Sequence, residues 1–296
     1  MNAPLKNLPT VAFKLNDQSV QAYEGESILN AAQRNGIEIP HLCYSDGLRA
    51  DGNCRACVVE IKGERTLAPS CCRTATAGLE VLVSDRAVKS QKMVLEMLLS
   101  DMPDQGYKWT DEGQHGELSD WASRMGVHVR PELHALRREQ PACDVSHPAM
   151  AVNLDACIQC NRCVRACREE QVNDVLGYAH RGAHSQIVFD LNDPMGLSSC
   201  VACGECVQAC PTGALMPKSQ VGSQAVDKQV DSVCPFCGVG CLLTYNVKDN
   251  QIVSVEGRDG PANQGRLCVK GRFGFDYIHN PQRLTGPLIR KAGVPK

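Results

Sequence analysis

The sequence predicts an α+β protein built from several small modules, and three observations support that prediction. Short strand patterns and a helical pattern alternate over the first 83 residues. Sixteen of the 18 cysteines fall into four sets of four, and two of these sets repeat one spacing at an interval of 43 residues. A chain of 296 residues is long enough for two or three domains. We therefore expect a mixed domain at 1–83, a helical connector at 84–152, a domain with two cysteine sets at 153–220 and a last module at 221–296.

Composition and charge exclude several classes of protein. The formal net charge is −2 and no long basic stretch occurs, so we expect no nucleic-acid partner. The apolar stretch at 93–99 is far shorter than the roughly 20 residues that span a bilayer, so no membrane span is expected. The N-terminal stretch has neither an apolar signal core nor a twin-arginine pair. We expect a cytoplasmic protein, in which cysteines serve as metal ligands rather than disulfides.

The first 83 residues follow one strand and helix order. Alternating apolar residues predict the strands, and Gly36 is placed to cap the helix. A turn at Gly63 separates the third strand from the last. The predicted elements are strands at 11–15 and 19–23, a helix at 27–34, and strands at 58–62 and 79–83. This order suits a β-grasp ferredoxin.

The first cysteine set lies in the loop after that helix and in the segment beyond it. Two irons bridged by sulfide need four thiolates that converge from one side. Gly47 and Gly52 let the loop turn tightly and direct N–H groups at the sulfurs. A zinc site is the alternative, and Cys72 competes with Cys71 for the fourth position. The spacing predicts a [2Fe-2S] cluster on Cys43, Cys54, Cys57 and a fourth cysteine. The long loop resembles the [2Fe-2S] domain of the complex I iron–sulfur subunit and of related hydrogenases and formate dehydrogenases, and this resemblance implies Cys71 as the fourth ligand, because Gly78 then falls at the family's offset.

Two helices are predicted in the connector. Ser84 can cap a helix that runs to about Ser100. Its apolar stripe is expected to comprise Val88, Gln91, Leu95 and Leu98. A second helix is predicted at 117–124 and stops at Gly126. Prolines at 131, 141 and 148 indicate an irregular connection over 127–152.

The second and third cysteine sets have the spacing of two-cluster ferredoxins. Each run reads C-x2-C-x2-C-x3-C, and Pro211 follows the second run. In such proteins the fourth cysteine of each run ligates the other cluster. Zinc and disulfides are the alternatives, and eight cysteines in this register disfavour both. One [4Fe-4S] cluster is therefore expected on Cys157, Cys160, Cys163 and Cys210, and another on Cys200, Cys203, Cys206 and Cys167.

The fourth cysteine set precedes and follows a predicted hairpin, 242–247 and 251–258, that turns at Asp249-Asn250. By spacing alone it fits a zinc ribbon as well as a cluster. The segments CPFCGVGC and GRLCVKGRFG resemble the N-terminal [4Fe-4S] domain of molybdenum or tungsten bis-pterin oxidoreductases. The resemblance implies that Lys270 lies between cluster and pterin, where the alternative is a surface lysine. It also implies a third [4Fe-4S] cluster on Cys234, Cys237, Cys241 and Cys268.

Taken in order, the segments resemble the N-terminal half of the alpha subunit of cytosolic NAD-dependent molybdenum/tungsten formate dehydrogenases. That family is related to the large iron–sulfur subunit of complex I. The ten residues between Cys43 and Cys54 and the stretch Asp144–Pro148 contribute to the likeness. The Cys234–Cys268 module is foreign to [FeFe] hydrogenases, which share the front half.

The sequence departs from the resembled family at one place. There, a His-x3-Cys-x2-Cys-x5-Cys motif after the first helix of the connector binds a further [4Fe-4S] cluster. In this chain the stretch 101–120 contains no cysteine, and Met102 stands where the histidine would be. We expect the fold to be kept and this cluster to be missing. His115 is expected at the surface, and Cys72 and Cys143 are left as free or supporting thiols.

The resemblance implies the remaining cofactors and partners. A molybdenum or tungsten bis-pterin guanine dinucleotide would be bound mostly by sequence beyond this chain, and Leu284–Arg290 look like the start of that body. No catalytic residue is expected here, so the chain is either a fragment or one part of a split subunit. FMN and NAD are expected on partner subunits. A complex I-like subunit, a free-standing polyferredoxin-type carrier and a zinc-bound structural protein stay open as alternatives, as do molybdenum against tungsten and formate against another substrate.

Overall fold

The structure is a computed structural model that describes residues 9–103, 116–134, 142–222 and 226–293. The chain divides into two compact units, Met1–Gln224 and Ala225–Lys296. In these described ranges no helix is both long and apolar enough to cross a bilayer.

A five-stranded mixed sheet forms the first part of the larger unit. Its strand order is β2-β1-β5-β3-β4, in which β1 and β5 are parallel and the other neighbours are antiparallel. The strands are β1 (Thr10–Leu15), β2 (Gln18–Tyr23), β3 (Val58–Ile61), β4 (Ala68–Pro69) and β5 (Glu80–Leu82). The sheet confirms the positions of the four predicted strands, whereas the two-residue β4 was not predicted.

Helix α1 (Ile28–Arg34) packs four buried apolar side chains into the core that it shares with this sheet. Ser27 caps its start by accepting a hydrogen bond from the Asn30 N–H at 3.2 Å. Gly36, at φ +75°, reverses the chain at its end, and the Ile37 N–H returns to the Ala32 carbonyl. The helix therefore ends where its sequence predicts, and the cysteine loop begins beyond it.

Helix α2 (Asp85–Ser100) starts at the predicted cap, since the Ser84 hydroxyl accepts from the Ala87 N–H. Gln91 and Leu95 are buried as predicted, but the stripe is completed by Ala87 and Leu99. Val88 and Leu98 are only half-buried, so the predicted stripe is rotated from the real one. The buried Gln91 amide donates to the Val58 carbonyl of β3, so this side of α2 faces the sheet.

Helix α3 (Glu117–Met125) ends at Gly126 in the left-handed conformation, as predicted. The region predicted as an irregular connection contains a short helix, α4 (Pro131–His134), and a strand, β6 (Met150–Val152). Met102 is buried with Leu99 and Leu118 in an apolar cluster. His115 lies outside the described residues.

Two antiparallel strand pairs hold the segment with the repeated cysteine runs. Strand β6 pairs with β9 (Leu215–Pro217), and β7 (Leu176–Ala179) pairs with β8 (Gln186–Phe189). The short helices α5 (Arg162–Arg165) and α6 (Glu205–Ala209) each begin inside a cysteine run.

The smaller unit is a three-stranded antiparallel sheet, β10-β11-β12, followed by a short helix. Its elements are β10 (Lys228–Val233), β11 (Leu242–Lys248), β12 (Gln251–Gly257) and α7 (Val269–Phe273). Asp249 and Asn250 both have positive φ, at 48° and 59°, as a two-residue hairpin turn requires. The hairpin is confirmed. Strand β10 is an additional strand, and its six residues pair with the first six residues of β11.

Candidate iron–sulfur sites

The four cysteines of the first set come together behind α1. Cys43, Cys57 and Cys71 are buried and Cys54 is half-buried. The backbone N–H groups of Cys43 and Ala56 both point at the Cys54 sulfur, at 3.4 and 3.5 Å. N–H groups aimed at sulfur stabilise thiolates, which are the form that binds iron.

Hydrogen bonds among these thiols shift their pKa values in opposite directions. Hydrogen bonds from the thiols of Cys54 and Cys71 lower the pKa of Cys43 to about 2. The same contacts raise the pKa of Cys54 and of Cys71 well above the usual range. Cys57 joins the group through a hydrogen bond with the Cys71 thiol, which lowers the pKa of Cys57, so the four thiols lie close together.

Cys72 lies beside this set without joining it. Its sulfur is 3.6 Å from the Cys71 sulfur, but Cys72 is exposed whereas Cys71 is buried. A Cβ on Gly52 would lie 3.0 Å from the Cys72 sulfur, and φ at Gly52 is +62°, so glycine allows the loop to pass here. The geometry favours Cys71 as the fourth ligand, and the ligand set stays a prediction.

The repeated runs form two cavities, each with four thiols in its wall. One cavity is lined by Cys157, Cys160, Cys163 and Cys210. The other is lined by Cys200, Cys203, Cys206 and Cys167. We call them the first and second cavity. Each takes three cysteines from one run and the fourth from the other, which is the crossed arrangement that the spacing predicts.

The two loops repeat one backbone conformation. Gln159 and Asn161, which flank Cys160, have φ of 54° and 65°. The residues 43 positions later, Ala202 and Gly204, have φ of 57° and 77°. The N–H groups of Gln159 and Ala202 each point at the sulfur two residues before them, at 3.4 Å. The left-handed residues thus turn successive cysteines and N–H groups toward one point.

The residues around the cavities fit an iron–sulfur cluster. The cysteine sulfurs are the only side-chain groups of His, Cys, Asp or Glu in the described lining of either cavity. In the described part of the chain, no group of three or more His, Cys, Asp or Glu side chains is arranged to hold a single metal ion. The sulfur ligands of a zinc ion would each lie about 2.3 Å from it. The Nε–H of Arg162, buried beside Cys160 and Cys210, has no hydrogen-bond partner among these residues. A cluster would supply sulfur as its acceptor.

The fourth set surrounds one end of the small sheet. Cys234 is buried in the apolar core with Leu243 and Leu267, and its N–H donates to the Cys241 carbonyl at 2.8 Å. Partial burial and then the neighbouring thiols of Cys234, Cys237 and Cys268 raise the pKa of Cys241. Cys237 and Cys268 are exposed. These four thiols lie near one another at the surface of the smaller unit.

Lys270 follows Cys268 on α7 and its side chain is exposed. Cys143 is exposed as well, outside all four sets. The role of Lys270 toward a pterin therefore stays a prediction.

Two buried arginines were not identified from the sequence. Arg162 and Arg165 retain only 3% and 2% of their exposure, although they lie in a cysteine loop that reads as polar. Burial alone would lower the pKa of Arg162, but Glu117 and the thiols of Cys160 and Cys210 keep it raised. The available signal was the repeat itself, because the equivalent positions 43 residues later hold Glu205 and Gln208.

Three family models match successive parts of the chain. A 2Fe-2S iron-sulfur cluster binding domain matches residues 9–85. The ferredoxin-like domain of NADH-quinone oxidoreductase subunit 3 matches residues 147–216. The molybdopterin oxidoreductase Fe4S4 domain matches residues 227–280. The first match contains the first cysteine set, the second contains the second and third sets, and the third contains the fourth set.

The names of two relatives indicate different activities. The chain is 34% identical to an NADH-quinone oxidoreductase subunit of Rhizobium meliloti (strain 1021), over 96% of this chain and 33% of that protein. It is 29% identical to the putative formate dehydrogenase YrhE of Bacillus subtilis (strain 168), over 98% of this chain and 34% of that protein. The chain thus spans about a third of the length of these relatives.

A solved structure shares the fold. The crystal structure of an NAD+-reducing [NiFe]-hydrogenase in the H2-reduced state matches with a TM-score of 0.63 and 27% identity, over 74% of this chain and 92% of that chain. Domain matches, relatives and structure agree on one conclusion. The chain carries a 2Fe-2S cluster binding domain, a ferredoxin-like domain similar to that of NADH-quinone oxidoreductase subunit 3 and a domain similar to the molybdopterin oxidoreductase Fe4S4 domain.

Proposed function

We propose that this chain is the electron-transfer part of a formate dehydrogenase alpha subunit. It would carry electrons from a molybdenum or tungsten bis-pterin site through three [4Fe-4S] clusters and one [2Fe-2S] cluster to a partner that holds FMN and NAD. The observation that supports a relay is the hydrogen-bonded contact between the loop of the first cysteine set and the first cavity. Asn53 donates to the Gln159 carbonyl at 2.9 Å, and Asn161 donates to Asp51 at 3.3 Å.

The choice of formate dehydrogenase over a complex I subunit depends on the cysteine count. No cysteine occurs between Cys72 and Cys143, so the additional cluster of the complex I-like subunit has no ligands there. The relative named as a formate dehydrogenase supports the same choice. A bound bis-pterin metal centre would supply the oxidation of formate, while this chain would bind the clusters, exclude water from them and fix their separation.

A complex I-like or NAD-reducing subunit is the second candidate. It is favoured by the 34% identity to the Rhizobium meliloti NADH-quinone oxidoreductase subunit and by the fold shared with the NAD+-reducing hydrogenase. A free-standing carrier would also suit the clusters, but it would co-purify with no pterin.

Metal analysis of the native complex, purified without oxygen, tests the proposal. We expect about fourteen irons for each copy of this chain, two in the [2Fe-2S] cluster and four in each cube, together with molybdenum or tungsten. Formate should reduce the clusters, as seen by EPR. A count near eighteen irons would show an additional cluster and favour the complex I-like candidate, and zinc in place of iron would contradict both.

Lys270→Ala tests the connection to the pterin. A lysine ammonium has three donors that can bridge a cluster and pterin heteroatoms, and its charge favours an electron that arrives on the cluster. Formate-dependent NAD reduction should fall at least about tenfold, while NADH still reduces the [2Fe-2S] cluster and the ferredoxin pair from the other end. Exposed Lys228 on β10 of the same unit provides the control, Lys228→Ala, which should leave turnover unchanged. Full turnover in Lys270→Ala with all clusters present would reduce Lys270 to a surface lysine.

A further inference from the structure

Besides Asn53 and Asn161, two buried guanidinium groups join the [2Fe-2S] loop to the segment of the first cavity. Arg162 donates from Nη1 to the Leu42 carbonyl at 3.1 Å and to Glu117 at 2.6 Å. Arg165 donates from Nη2 to the Cys43 carbonyl and, at 3.4 Å, to the Cys160 carbonyl. Cys43 is a predicted ligand of the [2Fe-2S] cluster and Cys160 of the first [4Fe-4S] cluster. One planar side chain thus joins the backbones of both ligand loops.

The charge of Arg165 has no carboxylate partner among the described residues. Its other two donors bind the carbonyls of Asn161 and Arg49, so all four acceptors are neutral. An isolated buried charge is costly unless a counter-charge lies nearby. Clusters held by four thiolates carry net negative charge, and in a protein interior such charges interact strongly over short distances. Bound at the loops of Cys43 and Cys160, whose carbonyls Arg165 contacts, the two predicted clusters would supply the missing counter-charge.

We propose that Arg165 is a positioning residue shared by the [2Fe-2S] cluster and the first [4Fe-4S] cluster, which it holds together and whose reduced states its charge stabilises. Arg162 supports it from the side of Cys160 and Cys210. The inference depends on the proposed electron-transfer function. With both clusters bound, Arg165 would lie between an electron donor, the first [4Fe-4S] cluster, and an electron acceptor, the [2Fe-2S] cluster, and one electron lost by the first would be gained by the second. No bond or proton changes place, so a fixed positive charge acts through the two reduction potentials.

The test is an EPR redox titration of the native complex with three variants. Arg165→Gln removes the charge and keeps an N–H donor, whereas Arg165→Lys keeps the charge and loses the planar fork. Arg49→Gln is the matched control: its side chain is 65% exposed and pairs with Glu169, and its carbonyl, which Arg165 contacts, is unchanged. Each variant is also measured for iron and sulfide content.

Arg165→Gln should lower the reduction potentials of both clusters. At a fixed potential near the midpoint, we expect the ratio of reduced to oxidised cluster to fall at least about tenfold, which is about 59 mV for a one-electron couple. Arg165→Lys should keep potentials close to those of the native protein but unfold at a lower temperature. The control should change the ratio by less than about twofold, because an exposed charge is screened.

Other outcomes also decide the matter. Unchanged potentials in a fully loaded Arg165→Gln variant, or an equal shift in Arg49→Gln, would overturn the inference. If Arg165→Gln loses the clusters while Arg165→Lys retains them, the charge is needed for assembly and the inference stands. If both lose them, the planar fork alone matters and the shared charge is refuted. Native protein without the [2Fe-2S] or first [4Fe-4S] signal would instead refute the proposed function.

Discussion

The two cysteine runs, 157–167 and 200–210, share a backbone and differ in charge. Left-handed residues recur at equivalent positions, and equivalent N–H groups meet equivalent sulfurs. Around this common frame the first run buries Arg162 and Arg165, whereas the second run holds Glu205 and Gln208 at the same places. The frame determines which atoms could bind iron, and the substituted side chains determine how each site would favour an electron.

The two cavities also have different neighbouring side chains. Both arginines of the first run contact carbonyls of the [2Fe-2S] loop. In the second run, buried Glu205 accepts a hydrogen bond from Gln208 of the same helix at 2.7 Å. Two buried cations therefore lie next to the first cavity and contact the [2Fe-2S] loop. We expect the cluster of the first cavity to have the higher reduction potential of the pair, which would direct electrons toward the [2Fe-2S] cluster.

The largest expected effect tests whether the two sites are crossed. Cys210 lines the cavity of the first run and Cys167 that of the second. In Cys210→Ala we expect loss of the cluster held by Cys157, Cys160 and Cys163, because one of its four ligands is removed. Cys167→Ala should remove the other cluster. EPR and iron counts distinguish the two losses.

Cys143→Ala is the control for cysteine removal, since this thiol is exposed and outside every set. The reverse pattern of loss would show that the fourth cysteine of each run ligates the cluster of its own run. The crossed assignment of ligands would then be wrong.

A moderate effect is expected from the charge of the second run. Replacing Glu205 by Gln keeps the size of the side chain and removes a buried carboxyl group close to Cys206. The reduction potential of the second cluster should rise, with about a threefold to tenfold increase in the ratio of reduced to oxidised cluster at a fixed potential near the midpoint. The reduction potential of the first cluster should change less.

Glu170→Gln provides a surface control at the end of the helical turn Ala166–Glu170, which follows α5. A redox titration in which Glu205→Gln leaves the second cluster at its native potential would show that the charge difference between the runs has no redox consequence.

The smallest expected effect concerns the shared backbone. Gly204 has φ of +77°, a conformation that costs an L-residue about 1 kcal/mol or more. Gly204→Ala should therefore lower the temperature of unfolding by about 2–4 °C, and Ala202→Gly should raise it by a smaller amount. Differential scanning calorimetry of the loaded protein measures both.

Gly177 on β7 serves as the control, because an added Cβ there meets nothing within 4 Å and its φ is not left-handed. Gly177→Ala should not destabilise the protein. An equal fall in the temperature of unfolding in Gly177→Ala and Gly204→Ala would show that the left-handed conformation of Gly204 is not the cause of the destabilisation.

Several features could be predicted from the sequence because they depend on residues close together in the chain. Ser27 and Gly36 mark the ends of α1, Asp249-Asn250 marks the hairpin turn, and the cysteine spacing marks the four sets. Caps and two-residue turns are local hydrogen-bonding choices, and cluster ligands in ferredoxins follow fixed spacings. Local chemistry was therefore enough to identify these elements.

Only the tertiary structure could decide the features that join distant segments. The stripe of α2 includes Ala87 and Leu99 because a sheet and a second helix pack against it, which periodicity alone does not reveal. Arg162 and Arg165 are charged residues in a loop, and sequence rules place such residues at the surface. Their burial depends on carbonyls of Leu42 and Cys43, about 120 residues earlier in the chain. A buried charge is tolerated only where the fold brings acceptors and counter-charge to it, and no local pattern encodes that meeting.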